Sequence, residues 1–246
     1  MNGLGGNLLD LLWPAPPLCP GCWQPAPRTE PGRLCRRCRE RLVVLRPPVC
    51  RRCGRPAGGE DECRQCAGRP RTFVEARAAG PYEGELKRLV HRFKFRRELA
   101  LREPLGLLLA ETFRAWPELR AAELLIPVPL SAERRAERGF NQAEELARVA
   151  GRALRLPAVM DALVRERGGP AQSRRSRHDR ERGAAGAFRV ARPGALAGAR
   201  VLLVDDVLTT GATAEACSQA MLKAGASRVS VLTLATTLAH GLGDSP

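Results

Sequence analysis

Two groups of residues in this 246-residue chain have the types and the spacing to do chemistry. The first is four Cys-x-x-Cys pairs, Cys19/Cys22, Cys35/Cys38, Cys50/Cys53 and Cys63/Cys66, separated by 12, 11 and 9 residues. Two sulfurs two residues apart can face one ion at about 2.3 Å, and two such pairs close a tetrahedral four-thiolate site for zinc. A redox pair occurs once beside a βαβ pattern, and disulfides belong to oxidising compartments. Four pairs in a Pro/Arg-rich stretch therefore favour structural zinc over an iron–sulfur cluster or disulfides. The pairing most economical in loop closure is sequential, which gives two zinc ribbons; an interleaved pairing stays open. Cys217 falls in a helical pattern and reads as a small core residue.

The second group is Val201-Leu202-Leu203-Val204-Asp205-Asp206-Val207-Leu208-Thr209-Thr210-Gly211-Ala212-Thr213. It reads as an apolar strand, two acids, and a Thr/Gly turn opening a helix. A small-residue turn at a helix N-terminus offers backbone N–H groups, threonine hydroxyls and the positive end of the helix dipole, which together cradle a phosphate. The two carboxylates would repel that phosphate, so they face neutral hydroxyls that can donate to them. A ligand with a phosphate and vicinal hydroxyls at this spacing is a ribose 5-phosphate. The competing reading is an acidic strand end followed by an ordinary N-cap.

The elements that must position these groups follow from hydrophobic period. Residues 1–18 start with an apolar helical turn or two (Leu4 to Trp13) and end Pro-rich. Residues 19–70 have few apolar side chains and no period; metal would supply their folding energy. From residue 71 onward the pattern predicts a strand over Thr72–Ala79, helices over Glu83–Phe95 and Glu98–Trp116, and a short buried strand over Leu124–Val128. Ser131 is placed to cap the helix carrying Arg134, Arg135 and Arg138. A helix over Ala143–Leu154, a strand over Val159–Val164 and a polar Gly/Arg-rich loop over Arg165–Ala185 come next. Then follow the strand Val201–Val204, a helix over Ala212–Ala224 closed by Gly225, and a strand over Val229–Leu234. Strands alternating with helices predict an α/β fold, a parallel sheet flanked by helices. Ligands in such sheets bind beyond the carboxyl ends of the strands. The boundaries expected are 1–70 for the leader plus ribbon region and 71–240 for the sheet domain.

Composition limits the classes. Hydrophobic residues are 44% and charged residues 27% of the chain, which excludes a fibrous or disordered protein. No apolar run reaches the roughly 18 residues of a membrane span. Met1–Leu12 lacks a basic start and carries Asp10, so it does not read as a signal peptide; the expectation is a cytoplasmic protein. The net charge of +15 suits phosphorylated ligands or nucleic acid. Only three of the 41 basic residues are lysine, however, so a GC-rich coding bias on solvated faces accounts for the charge equally well.

The strand–Asp–Asp–turn run resembles the signature of type I phosphoribosyltransferases. Further segments narrow the resemblance to the ComF (competence protein F, amidophosphoribosyltransferase-like) family: Tyr82-Glu83-Gly84, His91-Arg92-Phe93-Lys94-Phe95, Pro127-Val128-Pro129-Leu130 and Arg138-Gly139-Phe140-Asn141-Gln142. The likeness spans roughly residues 8–236. It implies a type I phosphoribosyltransferase fold behind a double zinc ribbon with two structural zinc ions. It implies that Asp205 and Asp206 hold the ribose hydroxyls of phosphoribosyl pyrophosphate (PRPP), bound with Mg²⁺, and that Val204 to Thr213 (Val207, Leu208, Thr209, Thr210, Gly211 and Ala212 among them) surround the ligand. Pro129, Leu130, Arg134 and Arg138 take the pyrophosphate side; solvated arginines are the plainer reading of that helix. Lys94 either reaches the site or snorkels off a core helix.

The loop departs from the family pattern. Gln172 and Ala187-Phe188 remain, but Gly169, Arg175 and Gly183 replace the usual Thr, Leu and Asn. Closing loops keep water from the reacting centre in such enzymes, so these departures bear on turnover more than on binding. Arg165, Gln172 and Arg180 suit a lid over phosphates; the loop's arginines suit a nucleic-acid contact equally. Three readings result: a transferase moving phosphoribose to a nitrogen nucleophile; a non-catalytic PRPP- or nucleotide-binding accessory of DNA uptake that engages single-stranded DNA or a helicase through its ribbons; and a zinc-ribbon scaffold with a vestigial pocket.

Overall fold

The computed structural model describes residues 16–26, 30, 32–166 and 186–238. The apolar turns expected over Leu4 to Trp13, and Gln172 and Arg180 of the expected lid, lie outside them. The central sheet has four parallel strands, β1 (Ala76–Pro81), β2 (Leu124–Pro127), β5 (Arg200–Leu208) and β6 (Arg228–Thr236), in the order β1-β6-β5-β2. A separate antiparallel pair joins β3 (Leu163–Arg165) to β4 (Phe188–Val190). The helices are α1 (Arg36–Glu40), α2 (Gly84–Phe95), α3 (Arg102–Ala115), α4 (Ala132–Arg138), α5 (Gln142–Leu154) and α6 (Ala212–Lys223).

Both faces of the central sheet are covered, so its inner strands are apolar almost throughout, as parallel sheets require. Leu202 and Val204 of β5 point into one core with Leu89 of α2, Leu105 and Leu109 of α3, and Leu146 of α5. Val201 and Leu203 point into the other with Met221 and Cys217 of α6 and Phe73. Cys217 is fully buried there, as its place in the helical pattern suggested. Close approach of α3 and α5 depends on Gly106, because a Cβ there would stand 2.4 Å from the Cβ of Val149.

Each ribbon rests on one of these faces. Cys19, Leu34 and Cys38 pack with the α2/α3 core, while Cys50, Cys53, Cys63 and Cys66 pack with Phe73 and Ala76. Hydrogen bonds fasten both: Arg92 Nη2 donates to Pro20 O at 2.9 Å, and Ala76 N donates to Arg52 O at 2.6 Å.

Four elements differ from the sequence pattern. The strand expected from Thr72 is regular only from Ala76: Val74 N already donates to Val229 O at 2.9 Å, but Thr72 is held instead by Glu215, its N 3.0 Å from Oε1. The helix expected from Glu98 opens with a 3₁₀ turn, Leu99–Leu101, and becomes α-helical at Arg102, where Pro104 sits in a first turn that needs no amide. The run Val159–Val164 is interrupted by a turn at Met160 and Asp161, whose carboxylate pairs with Arg192 at 2.6 Å. Only Ala158 bridges to Leu125 of the main sheet, and β3 pairs elsewhere. Lastly, β5 does not stop at Val204. Pairing with β6 continues through Asp205 to Leu208, so the two acids lie within the strand and the turn begins at Thr209.

Candidate phosphoribosyl site and zinc centres

Because the acids are strand residues, their side chains leave opposite faces of the sheet. Asp206 is 7% exposed and lies on the α2 side, where Lys94 Nζ stands 2.7 Å from its Oδ1. Asp205 faces α6 and accepts the Asp206 N–H on Oδ1 at 2.8 Å. Burial, reinforced by the negative charge of Asp206, pushes the Asp205 carboxyl up to about 7, while Lys94 and Arg138 pull it down. Near neutral pH this group both donates and accepts hydrogen bonds, which suits a hydroxyl partner.

The bend at Thr209 and Thr210 leads to Gly211, whose φ of +82° lies in the left-handed region that glycine enters without strain. Thr210 Oγ1 accepts the Ala212 N–H at 3.2 Å, and Gly211 O accepts the Glu215 N–H at 2.8 Å. Among the described residues, no acceptor takes the N–H groups of Gly211, Thr213 or Ala214. The carbonyl side of the bend is fully engaged by contrast. Arg55 donates to Leu208 O, Thr209 O and Thr237 O, and Arg71 Nη2 donates to Thr210 O at 3.1 Å. Unsatisfied amides with engaged carbonyls, at a helix N-terminus, make an anion cradle.

The expected pyrophosphate side is brought together in part. Pro129 and Leu130 follow β2, whose pairing Val128 extends by donating to Val204 O at 2.9 Å. Ser131 caps α4, its Oγ accepting the Arg134 N–H at 3.3 Å. Arg138 bonds Gln142 Oε1 at 2.9 Å and lies over the Phe95 ring, 5.2 Å from its centroid. It is thus near Lys94 and acts electrostatically on Asp205. Arg134 is exposed and repels Arg165, which is exposed on β3 with its guanidinium 5.4 Å from the Phe188 ring centroid.

Sequence reasoning overlooked three polar side chains. Gln142 is 1% exposed, and its Nε2, like Arg138 Nε, is buried without a partner among the described residues. The motif Arg138–Gln142 was visible, but only the fold shows these donors unsatisfied. Arg55 lies in the ribbon stretch and Arg71 just past its end, where nothing in the pattern distinguishes them from the surrounding arginines.

The cysteines form two four-sulfur groups, in sequential pairing, with all sulfurs of a group within 4.8 Å of one another. Cys19 to Cys38, Cys22 to Cys35 and Cys53 to Cys63 are 3.9, 3.8 and 3.5 Å apart. A tetrahedron with 2.3 Å zinc–sulfur bonds has edges of about 3.8 Å, so both groups fit zinc. Burial opposes the Cys50 thiolate, yet backbone N–H groups around Cys53, Cys63 and Arg52 bring its thiol down to about 7. Burial pushes Cys53 well up. Four thiolates so close ionise together only around a cation.

A parallel sheet with an acid-and-cradle site at the carboxyl end of β5, carrying two Cys₄ ribbons, defines a phosphoribosyltransferase-fold protein with an attached double zinc ribbon. Residues 8–67 match the double zinc ribbon domain family and residues 136–243 the phosphoribosyl transferase domain family. The chain is 33% identical over 227 residues to DNA utilization protein YhgH of Salmonella typhi, covering 91% of this chain and 98% of that one. It is 31% identical to competence protein ComFC of Bacillus subtilis, over 82% of this chain and 83% of that one. With competence protein F of Haemophilus influenzae it shares 30% identity, over 82% and 90%. The chain belongs to the ComF family. No helix among the described residues is long and apolar enough to cross a membrane.

Proposed function

We propose that the cradle at the end of β5 binds Mg²⁺·PRPP and that the protein transfers phosphoribose to a nitrogen nucleophile. The observation that carries this reading is the run of Asp205 and Asp206 on β5 directly ahead of a bend whose Gly211, Thr213 and Ala214 amides are unsatisfied among the described residues. The amides and the Thr209, Thr210 and Thr213 hydroxyls take the 5-phosphate; Asp206 takes a ribose hydroxyl, while Asp205, expected to share the ribose but turned to the other face, holds the Asp206 backbone through its N–H at 2.8 Å. Arg138 and Lys94 supply positive charge for the pyrophosphate, with Pro129 and Leu130 beside them and Arg134 and Arg165 at the rim. Mg²⁺, a hard ion that keeps its waters, would be held chiefly by the ligand's own oxygens.

In the reaction, the nitrogen lone pair forms a bond to ribose C1 with inversion while the C1–O bond breaks. Its electron pair leaves with pyrophosphate, and the nitrogen proton passes to solvent. The protein's part is positioning and neutralisation of the leaving group. In this reading residues 71–240 act as the catalytic body and residues 1–70 as the ribbon region, in the cytoplasm.

Calorimetric titration with Mg²⁺·PRPP tests the proposal. A saturable heat that Asp205→Asn/Asp206→Asn abolishes supports it; no heat from the wild-type chain overturns it. Release of pyrophosphate in the presence of candidate amines separates turnover from binding.

A second reading, a non-catalytic accessory of DNA uptake, is favoured by the names of the relatives, a DNA utilization protein and a competence protein, together with the charge of +15. It requires affinity for single-stranded DNA that falls steeply with salt. A gel shift that shows no complex at low salt removes direct DNA binding and leaves a protein partner, such as a helicase, to carry it.

A further inference from the structure

The arginine that follows the third cysteine pair is built into the floor of the phosphate cradle. Arg55 is 1% exposed, although Pro56 and Gly58 just after it are exposed. Its guanidinium crosses from the ribbon to the sheet, where Nε donates to Thr237 O at 2.7 Å and Nη2 donates to Leu208 O at 3.3 Å and to Thr209 O. These carbonyls belong to the last residue of β5, the first residue of the bend and the segment leaving β6. The ribbon backbone holds Arg55 in place: Cys50 N donates to Arg55 O at 2.7 Å, and Gly54, at a φ of +68°, leaves no room for a Cβ, which would stand 2.5 Å from Ala76 O.

A buried guanidinium needs both hydrogen-bond acceptors and a counter-charge. The three carbonyls supply the acceptors. Among the described residues no carboxylate pairs with Arg55. Arg55 acts electrostatically on Cys53, a member of the second cysteine group. Four thiolates around one zinc ion would carry a net charge of −2, opposite in sign to the lone guanidinium. The ribbon therefore both fixes the position of Arg55 and makes its burial tolerable.

We propose that Arg55 is a positioning residue through which the zinc centre of Cys50, Cys53, Cys63 and Cys66 holds the phosphate bend in its binding conformation. By engaging the carbonyls of Leu208 and Thr209, it orients those peptide groups so that the following amides turn toward the ligand. The affinity consequence rests on the PRPP reading above; the structural linkage does not. Among the described residues, the first ribbon has no such link to the bend. Its arginine contact runs the other way, from Arg92 of α2 to Pro20 O.

The test uses full-length wild-type, Arg55→Met and Arg55→Lys chains. Zinc content, hydrogen exchange and Mg²⁺·PRPP titration are read on each. Both variants are expected to keep two zinc ions. In Arg55→Met, exchange across residues 207–214 should speed at least tenfold, with exchange in α3 unchanged, and the PRPP affinity should fall at least tenfold. Arg55→Lys restores the charge without the fork and should lie between. Cys63→Ser, with one zinc lost, should loosen the same 207–214 segment.

Wild-type exchange across 207–214 in a zinc-replete Arg55→Met chain overturns the proposal. If Arg55→Met fails to fold, Arg55→Lys decides: wild-type exchange and affinity in it overturn the proposal as well. A wild-type chain that gives no PRPP heat, while Arg55→Met still loosens 207–214, refutes the PRPP reading and upholds the linkage.

Discussion

Lys94 Nζ and Asp206 Oδ1 are 2.7 Å apart, joining α2 to the strand that ends at the phosphate cradle. The side chains are 14% and 11% exposed, so the charges are shielded from water and from salt. Neither could be stable there alone. The pair also sets the terms on which a sugar would bind, because a ribose hydroxyl must share Asp206 with an ammonium already in place.

Lys94→Met leaves the Asp206 carboxylate uncompensated beside Asp205. Breaking a buried pair in this way should cost about 3 kcal/mol of folding stability. Lys94→Met/Asp206→Asn should recover most of it. Urea denaturation of the two variants and the wild type is the check, and a loss below about 1 kcal/mol in the single variant would show the pair to be solvated.

Asp205 makes stability depend on pH in a defined direction. Its carboxyl is pushed up to about 7 in the fold from an ordinary 3.8, so between those values the folded chain holds a proton that the unfolded chain has released. The stabilisation is fully present below pH 3.8 and is lost as pH rises through about 7. Asp205→Asn should flatten this fall and melt higher than wild type at pH 8. Thermal melts from pH 5 to 8 decide it; parallel curves for the two chains would contradict the assignment.

Gly211→Ala forces a side chain into a φ of +82° and places its Cβ 3.3 Å from Arg71 Nη1. The arginine tip can shift, but the backbone strain stays, at about 1–2 kcal/mol. Stability should drop by that amount. Affinity for inorganic phosphate should fall with it, since the bend relaxes away from the geometry that exposes its amides.

Gly106→Ala addresses the scaffold and not the site. Its Cβ would meet Val149 Cβ at 2.4 Å, and both atoms sit on helices packed across the same core. Overpacking of this kind costs about 1–3 kcal/mol. Val149→Ala in the same chain should restore part of the loss, which a double-mutant cycle measures.

Zinc removal should release two ions per chain and expose eight thiols, those of Cys19, Cys22, Cys35, Cys38, Cys50, Cys53, Cys63 and Cys66, while Cys217 stays protected until the sheet domain itself unfolds. The ribbons have too little apolar core to keep their fold without metal. Thiol titration before and after chelation tests this, and fewer than eight newly reactive thiols would show a ribbon that survives metal loss.

How far the residue pattern reaches can be judged element by element. The Cys-x-x-Cys spacing is a local property, and it sufficed to announce two four-sulfur sites. Hydrophobic period was enough to show α2, α5, α6 and an alternating α/β order, because 3.6-residue and continuous apolar patterns differ plainly over ten residues or more. The strand–acid–acid–turn run lies within thirteen consecutive residues, so the candidate cradle was legible before any fold was known.

What lay beyond the sequence is whatever depends on residues far apart in the chain. Val159–Val164 reads as one strand, yet a partner beyond the loop claims its last two residues. The extension of β5 through Asp205 and Asp206 was hidden because two acids in a row look like a strand's end; only pairing with β6 keeps them in the sheet and sends them to opposite faces. Lys94 and Asp206 are 112 positions apart, and Arg55 is separated from Thr209 by 154. One-dimensional patterns carry propensity and period, which are short-range. Ion pairs and buried donors are chosen by three-dimensional proximity and by the cost of leaving a charge unsatisfied, and those are settled only when the chain closes on itself.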